Sequence, residues 1–525
     1  MISTTGFPRS VRLVAMLALC SLRPCIAETC QALSKKQLSN AEIRATELIP
    51  QGIFKNGSDS VRVTADFCRV SLILRPSGDS DIRAEVWLPA STWNRKLQGA
   101  GNGGFAGSID YGSLASAVSH GYAAAATDTG HQSDPSSADW AFGHPEKIVD
   151  FGYRAIHEMT IAAKTLVAAF YGDKPAHAYL NACSNGGRQG LMEAQRYPAD
   201  YDGVAAGAPT YYWTRLMTTL IFNLQALSKP GSGISAAKLP AIEAAALALC
   251  DSRDGVNDGV IENPLRCRFN PDVLLCKGAE TDACLTKPQI TALKAIYGGA
   301  KTSKGVAILP GYEAGGEAEP LGWRTWITGE NRAASFQSVL GAGFFKFMVY
   351  ADPNWDYAGS SIGQDMTLAD EKLGSVLNAT DADLRPFERR GGKLILYHGW
   401  NDAAVPPRGT IDYYMSVMKE MGPKETASFV RLFMIPGWGH CGGGTGPNIF
   451  GQSAAPRSDA DHDMDAALER WVEQGKAPER IIATQMKPKT NPAEVLRTRP
   501  LCAYPLTGRW TGKGSTDSAD NFVCR

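Results

Sequence analysis

Apolar residues first alternate along this chain and later gather into short continuous runs spaced by helical periods, and that change of rhythm predicts the architecture. Val61 to Leu74 and Ile82 to Leu88 alternate and carry β-branched residues, which predicts an opening antiparallel pair of strands. Lys96-Leu-Gln-Gly-Ala-Gly-Asn-Gly-Gly-Phe-Ala-Gly107 reads as a strand running into a glycine-rich loop. Gly121 to Asp128 is a short buried strand, Ile148 to Tyr171 a helix, His177 to Ala182 a strand, Gly187 to Arg196 a helix and Val204 to Ala208 a strand. Such βαβ alternation implies a parallel sheet covered by helices on both faces. Reactive residues then belong in the loops at the carboxyl ends of the strands.

The rhythm lapses over residues 210–390, where helices, four cysteines, Trp323, Trp326 and the pair Phe344-Phe345 are interspersed with glycines. We read this segment as an inserted lid domain. Sheet grammar resumes with the strand Lys393 to Tyr397, the helix Gly409 to Met421 and the strand Phe429 to Ile435. Residues 28–209 and 391–525 thus form one α/β domain, and the length of 525 residues agrees with a domain that carries a large insertion.

The first 27 residues combine Arg9 and Arg12, the apolar run Leu13 to Leu22 and the small-residue end Cys25-Ile-Ala27, which predicts a signal peptide with the mature chain starting near Glu28. No other stretch has the apolar length that crosses a bilayer. The expected protein is soluble after signal cleavage and secreted or periplasmic. Lys plus Arg and Asp plus Glu number 53 each, and no basic run interleaves with aromatics, so nucleic acid is not an expected partner.

Export changes the meaning of the cysteines. Beyond the signal there are Cys30, Cys68, Cys183, Cys250, Cys267, Cys276, Cys284, Cys441, Cys502 and Cys524, an even set that predicts disulfides. Spacing favours Cys30 with Cys68, Cys250 with Cys267, Cys276 with Cys284 and Cys502 with Cys524. Cys183 and Cys441 are left. Neither belongs to a C-x-x-C pair or a histidine cluster, which argues against zinc.

The candidate chemistry lies beside those two residues. Ala182-Cys-Ser184-Asn-Gly186 stands between a strand and a helix, and resembles the G-x-S-x-G elbow that holds a nucleophilic serine in a tight turn. His398-Gly-Trp-Asn-Asp402 ends a strand, and His440 follows another within Gly437-Trp-Gly-His-Cys-Gly-Gly-Gly444. Serine needs a base, and the imidazole needs a carboxylate to fix its tautomer. The order Ser184, Asp402, His440 is the one that α/β-hydrolases use. A bond between Cys183 and Cys441 would require α-carbons within about 7 Å, and would set serine and histidine side by side. An oxyanion would be met by the N–H of Asn185 and by that of Gly103 or Gly104.

A second constellation, Cys250-Asp-Ser-Arg-Asp254-Gly-Val-Asn-Asp258-Gly-Val-Ile-Glu262, sets aspartates between glycine turns and suits a hard cation such as Ca²⁺. It departs from an EF-hand at Arg253 and Val256. Far in sequence from the three reactive residues, it is expected to stiffen the lid.

The Cys-Ser-x-Gly-Gly elbow, the His-Gly-Trp-x-Asp-x-x-Val-x-Pro stretch at 398–407, the Gly-His-Cys-x-Gly end and the Asp-x-x-Asp-Gly-x-x-Asp-Gly loop together resemble the tannase and feruloyl esterase family, which includes the mono(2-hydroxyethyl) terephthalate hydrolases. The resemblance implies an α/β-hydrolase with a lid, a disulfide between Cys183 and Cys441, and Ser184, Asp402 and His440 as nucleophile, acid and base. It further implies Ca²⁺ held by the side chains of Asp251, Asp254 and Asp258 and the backbone oxygens of Val256 and Val260. The expected activity is hydrolysis of small aromatic or plant phenolic esters, whether feruloyl, galloyl or terephthalate. Trp323, Trp326, Phe344 and Phe345 are candidates to hold the aryl ring, or equally to fill the lid core. A different class, an exported Ca²⁺-stiffened binding protein for phenolics or glycans, would keep the fold without turnover.

Overall fold

The computed structural model describes residues 1, 29–330, 335–451, 459–488 and 494–525, so the expected signal peptide lies, except for Met1, outside the described residues. Among the described residues, eleven strands lie between Ala41 and Ile435: β1 (Ala41–Ile49), β2 (Gly52–Asn56), β3 (Asp59–Val63), β4 (Phe67–Leu74), β5 (Ile82–Pro89), β6 (Lys96–Ala100), β7 (Ala123–Thr127), β8 (His177–Cys183), β9 (Gly203–Gly207), β10 (Lys393–Gly399) and β11 (Val430–Ile435). Nine of them form one sheet in the order β1-β4-β5-β7-β6-β8-β9-β10-β11. Pairing is antiparallel from β1 to β7 and parallel from β7 to β11. This mixed sheet, with helices packed on both faces, is the α/β-hydrolase fold.

The stretch Val61 to Leu74 is not one strand. Its first residues fold back as β3 on β2 across an Asn56-Gly57 turn, where Gly57 adopts a φ of 59°. Only β4 enters the main sheet, between β1 and β5. The strand β1, absent from the sequence reading, is a half-exposed edge whose Glu42, Arg44 and Glu47 obscure the alternation. The helix expected over Ile148 to Tyr171 is interrupted. A short helix Pro145–Val149 widens by one turn over Asp150–Arg154 before the α-helix Ala155–Tyr171 begins. Buried Asp150 pairs there with Arg154 at 2.6 Å. A helix Pro423–Phe429 also precedes β11.

Between β9 and β10, the described residues of 208–392 add no strand to the sheet; they hold five helices of eight residues or more, Trp213–Ser228, Leu239–Cys250, Lys287–Gly298, Phe336–Gly343 and Ile362–Leu377. Two apolar cores order this insertion. One gathers Trp323, Tyr312, Ile242, Leu293 and Ile327. The other joins Phe344, Phe345 and Trp213 to Phe105 and Phe151 of the sheet domain.

Hydrogen bonds tie the insertion to the strand ends beneath it. The Tyr312 hydroxyl donates to the Ala404 carbonyl at 3.1 Å, and Gln337 Nε2 donates to the Ala403 carbonyl at 3.0 Å. Buried Glu319 accepts from Asn401 Nδ2 at 2.6 Å and from the N–H of Thr445 at 3.2 Å.

Burial pushes the Glu319 carboxyl up to about 7, against the donors of Asn401 and Thr445. A carboxyl raised on folding binds its proton more tightly in the folded chain, so it withdraws stability as the pH rises from the ordinary value of 4.5 to about 7. Glu319→Gln should therefore flatten the fall in unfolding free energy across that window, by an amount on the order of 3 kcal/mol near neutrality, and with it the fall in melting temperature. Parallel melting-temperature profiles for variant and wild type would contradict the assignment.

Candidate active site

β8 ends at Cys183 and the helix Asn185–Arg196 starts two residues later, so one residue must turn the chain. That residue is Ser184, at φ 64° and ψ −124°, in the left-handed region that a residue with a side chain enters only under constraint. Its backbone is pinned, with the N–H donating to the Gly207 carbonyl at 2.9 Å. Small neighbours make the turn possible: a Cβ at Gly186 or at Gly101 would lie 2.7 Å from the Ala182 methyl. The elbow accepts alanine at its first outer position because two glycines face that methyl.

His440 Nε2 lies 3.0 Å from Ser184 Oγ, and His440 Nδ1 lies 2.7 Å from Asp402 Oδ2. Asp402 is 2 % exposed and saturated with donors. Its Oδ1 accepts from the N–H groups of Ala404 and Val405, both at 2.8 Å. Its Oδ2 also lies 3.1 Å from His398 Nε2. Burial alone would raise this carboxyl, but the His440 charge and the hydrogen bonds from His398 and His440 outweigh burial and hold it well below the usual carboxylate range.

The sequence reading did not single out His398. It is completely buried, with Nδ1 2.7 Å from Thr410 Oγ1 and Nε2 also near the Val405 carbonyl at 3.2 Å. An ionised Asp402 only accepts, so His398 carries its proton on Nε2 and takes the Thr410 hydroxyl hydrogen on Nδ1. A histidine four residues before the acid, on the same strand end, is the signal that marks it.

Cys183 is bonded to Cys441, with α-carbons 5.9 Å apart, and the other bonds join Cys30 to Cys68, Cys250 to Cys267, Cys276 to Cys284 and Cys502 to Cys524. One covalent bridge thus flanks both reactive side chains. Asn185 opens the helix, where its N–H has no intrahelical partner. Among the described residues, the N–H groups of Gly103 and Gly104 also have no backbone acceptor.

These groups surround a cavity of about 370 Å³, lined by Ser184, His440, Gly103 and Gly104, by Asp110, Ser113 and Ser136 on a polar side, and by Trp326, Phe336 and Leu340. The Trp326 ring meets His440 edge to face at 5.0 Å. Trp323, Phe344 and Phe345 do not line this cavity; they fill the two lid cores. Phe336 and Leu340, one helical turn apart on Phe336–Gly343, stand where those residues were expected.

In the aspartate-rich loop, Asp251 Oδ2 accepts from the N–H of Gly259 at 2.8 Å, Asp254 Oδ1 accepts from that of Val256 at 2.9 Å, and Asp258 Oδ2 meets Arg497 at 2.9 Å and Arg499 at 2.5 Å. Burial pushes the Asp254 carboxyl up to about 6, and the carboxylates of Asp258 and Asp251 add to the rise against the Val256 N–H. Buried, mutually repelling carboxylates suit a hard cation. The loop also reaches the turn at Gly437, three residues before His440, since a Cβ at Gly437 would lie 3.1 Å from Val260 Cγ1. Its contacts therefore extend beyond the lid. Among the described residues, however, the three side chains whose ligand atoms approach within 4.8 Å are His157, Glu193 and Asp200, a buried group able to hold a metal.

The family described as "Tannase and feruloyl esterase" matches residues 68–525. The chain is 40% identical to an uncharacterized esterase of Xanthomonas campestris pv. campestris, over 100% of this chain and 96% of that one. It is 32% identical to a probable feruloyl esterase B-2 of Aspergillus terreus, over 94% of each chain. The crystal structure of feruloyl esterase B from Aspergillus oryzae superposes with a TM-score of 0.88 at 28% identity, covering 94% of this chain and 99% of that one.

The bridge beside both reactive residues generates a prediction that separates it from a mere staple. Cys183→Ser combined with Cys441→Ser should lower kcat by roughly tenfold or more while most molecules stay folded at assay temperature, because misplacement near 1 Å has costs of that order. An unchanged kcat in the folded double variant would show that the bridge has no part in positioning.

Proposed function

The chain belongs to the tannase and feruloyl esterase family and is a carboxylic ester hydrolase, and we propose that it is a secreted serine esterase acting on esters of hydroxycinnamic or hydroxybenzoic acids, feruloyl esters foremost. The observation that carries this reading is the unbroken run Ser184 Oγ, His440, Asp402 opening on a cavity walled by Trp326. Ser184 attacks the ester carbonyl while His440 takes its proton, and Asp402 holds the tautomer and stabilises the imidazolium. The oxyanion is met by the N–H of Asn185 and that of Gly103 or Gly104. His440 returns the proton to the leaving alcohol, then draws one from the water that cleaves the acyl-enzyme. Export is supported by the five disulfides, which persist in oxidising compartments.

The substrate choice within the family follows from the two sides of the cavity. Trp326, Phe336 and Leu340 offer an apolar wall to an aryl ring, and Asp110 faces the same space with a carboxylate. A carboxylate accepts from a phenolic hydroxyl and repels the free acid of mono(2-hydroxyethyl) terephthalate. Galloyl esters, which also present phenolic hydroxyls, are the second reading. Residues 28–209 and 391–525 act as the catalytic domain, and 210–390 as a lid whose loop at 251–260 binds Ca²⁺ through Asp251, Asp254 and Asp258 and the carbonyls of Val256 and Val260. Such an ion would supply positive charge among buried carboxylates and take no part in the chemistry.

A fluorophosphonate should label the purified chain, and Ser184→Ala should abolish labelling; folded wild type that resists the reagent would point to the non-catalytic binder. In a panel of methyl ferulate, methyl gallate and mono(2-hydroxyethyl) terephthalate, kcat/KM should be greatest for methyl ferulate, and Asp110→Asn should narrow its lead over the terephthalate ester. A lead for the terephthalate ester in wild type would reverse the substrate assignment. Chelation should lower the melting temperature by a few degrees, with recovery on adding Ca²⁺ and no response in Asp254→Ala. Equal responses in variant and wild type would remove the ion from this loop.

A further inference from the structure

We propose that His157, Glu193 and Asp200 form a second metal site, suited to a divalent transition ion of the Zn²⁺ type and distinct from the aspartate loop. Three separate elements supply it. His157 lies on the helix Ala155–Tyr171, Glu193 on the helix that starts at the elbow, and Asp200 in the turn that leads to β9. A ring nitrogen of His157 and one carboxylate oxygen from each acid come within 4.8 Å of one another.

Glu193 is the observation that points to an ion. Its side chain is 1 % exposed, neither carboxylate oxygen accepts from an N–H or hydroxyl donor among the described residues, and the group it meets is a second carboxylate, Asp200. No cation pairs with it among the described residues. Lys164, whose charge acts on Glu193, donates to the Ala199 carbonyl at 3.0 Å. Asp200 is partnered through Oδ2 by His157 Nδ1 at 2.6 Å, so Glu193 and Asp200 are two buried acids set against each other, a repulsion that a bound ion or a shared proton relieves. Leaving such a group unmet costs several kcal/mol.

The donor set selects the ion. One imidazole nitrogen and two carboxylates match the N and O ligands of zinc, whereas Ca²⁺ takes six to eight oxygens. The His157 ring lies flat on Tyr197, with centroids 3.6 Å apart and planes 8° apart, which fixes the orientation of its nitrogens. Its side chain is 23 % exposed, so ions and a completing water have access. A bound ion would fasten the helix that follows Ser184 to its neighbour, a structural role away from the reacting atoms.

The full chain, stripped with EDTA and returned to excess Ca²⁺, is titrated with ZnCl₂ by calorimetry and with CoCl₂ by visible absorption. The site predicts a single equivalent of Zn²⁺ that Ca²⁺ does not displace, Co²⁺ d–d bands, and a raised melting temperature. Glu193→Gln and His157→Asn should each weaken Zn²⁺ binding by about tenfold or more, equivalent to at least 1.4 kcal/mol. His157→Asn, at a partly exposed position, keeps the test open if Glu193→Gln does not fold. Wild-type affinity retained in the folded variants would overturn the site. So would the absence of Zn²⁺ binding by wild type, in which case Glu193 and Asp200 share a proton.

Discussion

The site depends on keeping one carboxylate ionised out of water. Asp402 has no solvent to stabilise its charge, and an isolated buried carboxylate would take up a proton and cease to orient an imidazole. The fold answers with two backbone N–H groups on one oxygen and two imidazoles on the other. Those donors are useful only if the turn at 402–405 keeps its shape. The insertion acts there, because Gln337 and Tyr312 donate to the carbonyls of Ala403 and Ala404 while Thr410 sets the tautomer of His398. The insertion is therefore part of the framework for Asp402 as well as a cover for the cavity.

The same logic extends to the histidine loop. Glu319 accepts from both Asn401 and Thr445, and so joins the loop of the acid to the loop of the base through one lid side chain. Val260, at the end of the aspartate-rich loop, sits against the turn at Gly437, three residues before His440. Arg497 and Arg499 anchor that loop to the C-terminal strand Val495–Cys502 through Asp258. Order in the aspartate-rich loop thus reaches the base through packing, although the two segments are remote in sequence.

The parallel half of the sheet was legible because its strands are buried on both faces and read as short apolar runs between helices, as at Lys393 to Tyr397. The antiparallel entrance was less so: charges on β1 hid an edge strand, and neither the Asn56-Gly57 turn that folds β3 onto β2 nor the bend at Thr64-Ala65 that splits Val61 to Leu74 was read. Ser184, Asp402 and His440 could be picked out since each stands in a glycine-flanked loop at a strand end. Which aromatics face the cavity could not. Leu340 and Phe344 stand one helical turn apart and belong to the same apolar core, yet only Leu340 also lines the cavity, a difference that spacing alone does not carry. His398 was quoted as part of a motif, but nothing in one dimension shows that its ring turns back toward Asp402.

The bridge between Cys183 and Cys441 offers a covalent means of holding Ser184 and His440 together through the reaction proposed above. The hydrogen bond from Ser184 to His440 must be given up when the proton moves, so it cannot also be the device that keeps the two loops in register. Both loops are under strain at that place, for Ser184 has a φ of 64° and Cys441 a φ of 58°. Positions of this kind cost about 1–3 kcal/mol each and persist only where their surroundings over-determine them. Closing a loop with a sequence separation of 258 withdraws unfolded-chain entropy equivalent to about 5 kcal/mol, of the same order as the two costs together. A bond that does not titrate and does not break in the cycle can bear that strain, leaving the hydrogen bonds free to do chemistry.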